Sequence, residues 1–152
     1  MKSKAQRGIT LVEMLVVIAI AAVVAGVALP SVTTGLAAVR LTSAASSVAS
    51  FLSAAMNTVE RRELPAEVVV APKENLLAVY TAASGAKPAG KLDLPSGISI
   101  EGGDPQRFLL FPGGAPPRVT IVLRSQKGDR RSIRIDPVTA VPQIERLEAQ
   151  PQ

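Results

Sequence analysis

Arg7-Gly8-Ile9-Thr10-Leu11-Val12-Glu13-Met14-Leu15-Val16-Val17-Ile18-Ala19-Ile20-Ala21-Ala22-Val23-Val24-Ala25-Gly26-Val27-Ala28-Leu29-Pro30 is apolar from Gly8 onward except for Thr10 and one carboxylate, Glu13. Lys2, Lys4 and Arg7 form a basic tail in front of it, and the uncharged run that starts at Met14 continues to Val39. A helix rises about 1.5 Å per residue, so about 20 residues cross the hydrocarbon core of a bilayer. The stretch is long enough to span.

Three readings of it compete. A secretory signal peptide needs a small-residue cleavage site after the apolar region, for which Ala25-Gly26-Val27-Ala28 is a weak match. A plain signal anchor needs no cleavage. Both leave Glu13 inside apolar sequence, where a charge costs about 2.5–3.5 kcal/mol by insertion scales. The third reading accounts for the carboxylate. A cut after Gly8 makes Ile9 a new N-terminus and Glu13 the fifth residue behind it. The free amine of Ile9 on a neighbouring subunit then neutralises Glu13, because intramembrane charges persist when paired.

The run from Arg7 to Ile20 resembles the class III signal of type IV pilins and type II secretion pseudopilins. That pattern is a basic leader ending in glycine, then Phe-Thr-Leu-Ile-Glu, then an apolar helix with a proline at its far end. Gly8, Thr10, Leu11, Glu13 and Pro30 match it, while Ile9 replaces the phenylalanine and Val12 the isoleucine, both apolar. The resemblance implies cleavage between Gly8 and Ile9 by a prepilin peptidase and N-methylation of Ile9. It also implies assembly with other pilins or pseudopilins through the N-terminal helix, with Glu13 and Pro30 as assembly residues.

Composition limits the alternatives. The net charge is +5, but three of the 17 basic side chains lie in residues 1–8, so the remainder carries 14 against 12 acidic ones. The leader charges orient the helix with its N-terminus in the cytoplasm, and the high pI says little about nucleic acid. With no cysteine and no histidine, a disulfide framework and thiol or imidazole metal sites are excluded. Three Phe, one Tyr and no Trp give poor material for a base-stacking platform.

Residues 9 to about 63 read as one long helix. Pro30 cannot donate to the carbonyl of Gly26 and crowds that turn. With Gly26, Gly35, Ser31, Thr33 and Thr34 nearby, a kink or local melting is expected there. Past Leu36 the apolar residues Leu41, Ala45, Val48, Leu52, Ala55 or Met56, and Val59 recur at spacings of three and four, an amphipathic stripe that needs a partner surface. Pro65 stops the helix. Beyond it the pattern turns to strands: Ala66–Ala71, Leu76–Thr81, an alternation at Ile98 and Ile100, and Phe108–Phe111. A hairpin follows, with Val119, Ile121 and Leu123 returning through Ile133 and Ile135 after a turn over Ser125–Arg130. Val138–Ile144 reads as a last strand and Glu145–Gln152 as a frayed polar tail.

The expected fold is α+β: a long transmembrane-to-soluble pilin helix packed on a small antiparallel sheet of six or seven strands. The expected organisation is a leader at 1–8, a membrane segment at 9–35, an amphipathic helical half at 36–63 and a periplasmic β domain at 64–152. The order of segments, with Phe111-Pro112-Gly113-Gly114 before the hairpin and Asp136-Pro137-Val138-Thr139-Ala140-Val141 after it, is similar to the H-type minor pseudopilins and FimT-like minor pilins. The Asp-Gly and Thr-Gly-Arg of that family are replaced here by Pro112-Gly113-Gly114 and Thr139-Ala140-Val141. The resemblance implies a minor pseudopilin at the inner membrane that enters a periplasmic pseudopilus, with a FimT-like pilin acting in pilus assembly or DNA uptake as the alternative.

No catalytic constellation is visible, and no enzyme activity or cofactor is expected. Asp93, Asp104, Asp129 and Asp136 fall in or beside turns, where aspartate bonds local backbone. Calcium requires clustered oxygen ligands, and no such cluster is present, so no metal is expected. Arg124, Lys127, Arg130, Arg131 and Arg134 gather around the hairpin. Two readings stand for them: a solvated strand edge with protective charges, or a patch for weak, salt-sensitive contact with nucleic acid phosphates.

Overall fold

The computed structural model describes residues 10–147, apart from the side chains of residues 27–34. The chain divides into two units, Met1–Leu36 and Ala37–Gln152. It is α+β: among the described residues one helix, α1 (Leu11–Arg62), precedes eight strands, all antiparallel.

In the first unit, α1 continues through Pro30, so of the kink or local melting expected there, melting is not observed. The helix starts where the sequence provides a cap. The Thr10 hydroxyl accepts the Glu13 amide at 3.3 Å, and the Thr10 carbonyl accepts the Met14 amide at 3.2 Å. Thr10 and Glu13 stand at the Thr-x-x-Glu spacing of a capping box.

In the second unit, the stripe on α1 is the spine of the core. Leu41, Ala44, Ala45, Val48, Leu52, Ala55 and Val59 are all buried. Serines and polar residues hold the opposite face: Ser43, Ser46, Ser47, Ser50 and Asn57 are exposed. Glu63 takes φ 53 just past the last helical residue, and Pro65 follows. This left-handed residue ends the helix in the manner a glycine more often does.

The strands are β1 (Ala66–Ala71), β2 (Leu76–Thr81), β3 (Gly90–Asp93), β4 (Ile98–Ile100), β5 (Gln106–Leu110), β6 (Thr120–Ser125), β7 (Arg130–Ile135) and β8 (Pro142–Leu147). They form two four-stranded sheets, ordered β3-β2-β1-β5 and β4-β6-β7-β8, where the sequence suggested one sheet. Both contribute to one core. Val68, Val70, Leu77 and Leu110 from the first meet Ile98, Ile121, Leu123, Ile133 and Ile135 from the second, together with the helix stripe. Full burial of such side chains contributes about 1.5–3 kcal/mol each.

Three details depart from the expected strands. Gly90–Asp93 is a strand although it is short and polar; Leu76, Leu77, Ala78 and Val79 of β2 supply its register partners. β8 begins at Pro142 and runs to Leu147, so of the segment expected to carry the last strand, Val138–Ile144, only Pro142–Ile144 is strand, and Glu145–Leu147, expected to fray, is paired with β7. The turn is closed by Asp136, whose carboxylate accepts the amides of Val138 at 2.9 Å and Thr139 at 2.8 Å. That local bonding holds residues 136–141 out of the ladder and shifts the strand toward the C-terminus.

Candidate functional site

Gly8 and Ile9, the expected cleavage and methylation positions, lie outside the described residues, as does the side chain of Pro30. Glu13 is described. It occupies the third helical position, is exposed, and follows directly on the Thr10 cap. A carboxylate in the first turn is favoured by the unpaired amides and partial positive charge of a helix N-terminus. The large apolar side chains around it are open: exposure runs from 50% at Val16 to 80% at Leu11. A ring of apolar residues exposed on every side requires lipid or other helices around it.

Among the described residues, Gly35–Arg62 is the helical stretch long and apolar enough to cross a membrane, and Leu11–Gly26 is a shorter apolar one. The stripe of Gly35–Arg62 is the core of the second unit, however, and that stretch contains Arg40, Glu60, Arg61 and Arg62. The membrane-facing candidate is therefore the N-terminal part. Leu11–Gly26 is its described portion, and the uncharged sequence continues to Val39.

The basic residues of the hairpin separate by strand parity. Arg124, Arg130 and Arg134 share one face of the second sheet: Arg124 pairs in register with Arg130, and Arg134 with Thr120. Arg131 is opposite Leu123 and Arg146, on the face that also carries Ile133. Two of the three arginines on the common face are engaged. Arg130 bonds the Glu101 carboxylate, and Arg134 bonds Glu145 at 3.1 Å. Lys127 sits in the turn between β6 and β7. Sequence reading missed Glu101 and Glu145 as partners, since they lie 29 and 11 residues from their arginines. Only the strand register brings them together.

Two of the grooves beside the helix in the second unit are lined by both the helix and the segments packed on it. One of about 280 Å³ is lined by Phe51, Ala55, Thr58, Arg62, Val79 and Gly90. The other, of about 250 Å³, is lined by Met56, Asn57, Glu60, Phe111, Pro116 and Val141. Both are dominated by apolar atoms. The carboxylate in the second groove is occupied: Glu60 accepts the Gly113 amide at 3.0 Å and 3.3 Å through its two oxygens. Neither groove brings together a nucleophile and a base. Among the described residues no group of three or more acidic, histidine or cysteine side chains is placed to hold a metal.

Among the described residues, the carboxyl of Asp136 is displaced from its ordinary titration range. The amides of Thr139 and Val138 stabilise its charged form and hold it below the usual carboxylate range; nearby Arg134 adds a smaller push in the same direction. Its role is to shape the turn.

Residues 3–29 match the prokaryotic N-terminal methylation motif. No curated protein and no solved structure matches the chain. The matched segment contains Gly8, Ile9 and Glu13 and supports a type IV pilin-like protein, a substrate of prepilin peptidase that assembles with other pilins. One N-terminal apolar helix carrying this motif is consistent with a single-pass membrane anchor.

Proposed function

We propose that the chain is a minor pseudopilin of a type II secretion system, incorporated into a periplasmic pseudopilus at or near its tip. Prepilin peptidase cuts between Gly8 and Ile9, and the new Ile9 amine is methylated. The apolar helix holds the protein in the inner membrane, N-terminus cytoplasmic, with the β domain in the periplasm. On extraction into the filament, neighbouring helices replace lipid around the exposed side chains. Glu13 pairs with the N-terminal amine of the adjacent subunit, offsetting a buried charge and setting the register. Pro30 marks the stretch of helix that adapts on assembly.

The observation that carries this reading is the methylation motif at residues 3–29, joined to a helix whose first part is apolar on all sides and whose second part is the core of a small β domain. The test is the intact mass of the membrane-extracted protein with and without co-expressed prepilin peptidase. Loss of residues 1–8 plus one methyl group is the expected result. An uncut chain, or a cut beyond Ala25, overturns the reading.

A second reading, a FimT-like minor pilin that contacts DNA, draws on Arg124, Arg130 and Arg134 sharing a face. The carboxylates of Glu101 and Glu145 on that face lower its positive potential. A gel shift at low salt separates the two readings: binding lost in an Arg124→Ala/Arg134→Ala double variant supports DNA contact, and no binding removes it.

A further inference from the structure

Four strands end the two sheets. The outer edge of β4 is filled by the Asn75 side chain, which bonds the Ile98 carbonyl and the Ile100 amide. β3 is four residues long. β5 carries Arg107 and Leu109 at alternate positions and is bounded by Pro105 and Pro112. β8 is the six-residue edge, exposed from Gln143 to Arg146 and half-buried at Pro142 and Leu147.

The phase of β8 follows from one hydrogen bond. Asp136 donates its amide to the Val141 carbonyl at 3.0 Å. The β7–β8 register steps by two from there, so Gln143, Glu145 and Leu147 direct their backbone groups at β7. Pro142, Ile144 and Arg146 direct theirs outward. Proline thus sits at an outward position, where its missing N–H breaks no bond within the sheet. Among the described residues, no backbone partner meets Ile144 or Arg146 on that side.

We propose that β8 pairs antiparallel with β8 of a second copy of this chain, centred on Ile144, joining the two β4-β6-β7-β8 sheets. In this register each Ile144 faces its counterpart, Val141 faces Leu147, Glu145 faces Gln143 and Arg146 faces Pro142. The apolar side chains exposed along this edge, Val141 at 55% and Ile144 at 36%, meet apolar partners. Glu145 meets an uncharged amide and keeps Arg134 as its own counterion. Each Arg146 amide donates to a Pro142 carbonyl, which needs no donor from the proline. The other registers in phase are worse. Centring on Glu145 sets two carboxylates opposite each other, and centring on Arg146 does the same with two guanidinium groups, both destabilising cross-strand pairs. Centring on Gln143 places Glu145 against Val141.

The chain has no cysteine, which makes the register directly testable on the full-length protein in detergent. Gln143→Cys and Glu145→Cys variants, both at exposed positions, are mixed with tags of different length and mildly oxidised. Opposed residues of this type lie about 4.5 Å apart between Cα atoms, within disulfide reach. The expected result is a mixed heterodimer about tenfold more abundant than the homodimer of either variant alone. Adding Ile144→Pro to both variants removes an outward N–H without touching the β7 ladder, and is expected to abolish the heterodimer. Contact through the apolar helices alone produces neither the register preference nor the proline effect. No excess of heterodimer, or a heterodimer that survives Ile144→Pro, overturns the proposal.

Discussion

The side chain of Asn75 accepts the amide of Ile100 at 3.0 Å through Oδ1 and donates to the Ile98 carbonyl at 2.6 Å through Nδ2. Asn75 belongs to the β1–β2 turn of the first sheet, and Ile100 to the edge strand of the second. One side chain therefore occupies the place of a neighbouring strand and ties the two sheets together. Its backbone takes φ 57, a left-handed conformation that asparagine tolerates better than most residues. An Asn75→Ala variant leaves two part-buried backbone groups of β4 without that partner. The expected loss is about 1–3 kcal/mol, seen as a lower Tm. Asn75→Asp is expected to be destabilising as well, since a carboxylate cannot donate to the Ile98 carbonyl.

Ala140 also takes a positive φ, 58, in the turn that Asp136 closes. An L-residue with a Cβ is strained there by about 1–2 kcal/mol, whereas glycine is not. Ala140→Gly is expected to stabilise the fold by roughly 0.5–1 kcal/mol, measured as a shift of the urea midpoint at unchanged slope.

The same turn depends on pH. The folded-state carboxyl of Asp136 titrates below its ordinary value because the Thr139 and Val138 amides favour the charged form. A depressed acid contributes stability that is fully present above its unfolded pKa and is lost as pH falls through the folded one. Amide exchange at Val138 and Thr139 should therefore accelerate as pH drops below about 4, after correction for intrinsic rates. In Asp136→Asn that extra acceleration should vanish.

Leu52 is 1% exposed and lies in the core cluster fed by both sheets. Leu52→Ala should cost about 2–5 kcal/mol through lost burial and the cavity left behind. Ser50 lies on the exposed face of the same helix, and Ser50→Ala should change stability by no more than about 0.5 kcal/mol. Thermal melts of the two variants, side by side, check the contrast.

Glu13→Ala is expected to leave the folded β domain unchanged, since Glu13 belongs to the first unit and the core to the second. Under the proposed function it should impair filament incorporation severalfold. Recovery of the variant in sheared filaments at wild-type levels would defeat the pairing role assigned to Glu13.

Much of this was legible in the chain because it rests on local patterning. The apolar run around Glu13, the three-and-four spacing from Leu41 to Val59, the valine run in Ala66–Ala71 and the period-two alternation of the Thr120–Ile135 hairpin each dictate an element, and the two periodic patterns also dictate the face it buries. The Thr10 cap on the Glu13 amide was equally local, and its spacing was present to be read. What needed the tertiary structure was long-range pairing. Gly90–Asp93 has no strand signature of its own and pairs because β2 offers it a ladder. Glu145–Leu147 looks like a tail, yet the Asp136 turn hands it to β7. The arginines near the hairpin looked like one patch until strand parity placed Arg131 on the opposite face and the register delivered Glu101 and Glu145 to Arg130 and Arg134. The division into two sheets follows from which strands pair, and the Asn75 link between them rests on hydrogen bonds between residues 23 and 25 positions apart. Periodicity shows which face of a segment seeks burial; which segments then share a ladder depends on the closure of intervening loops and on how all of them fit around one core.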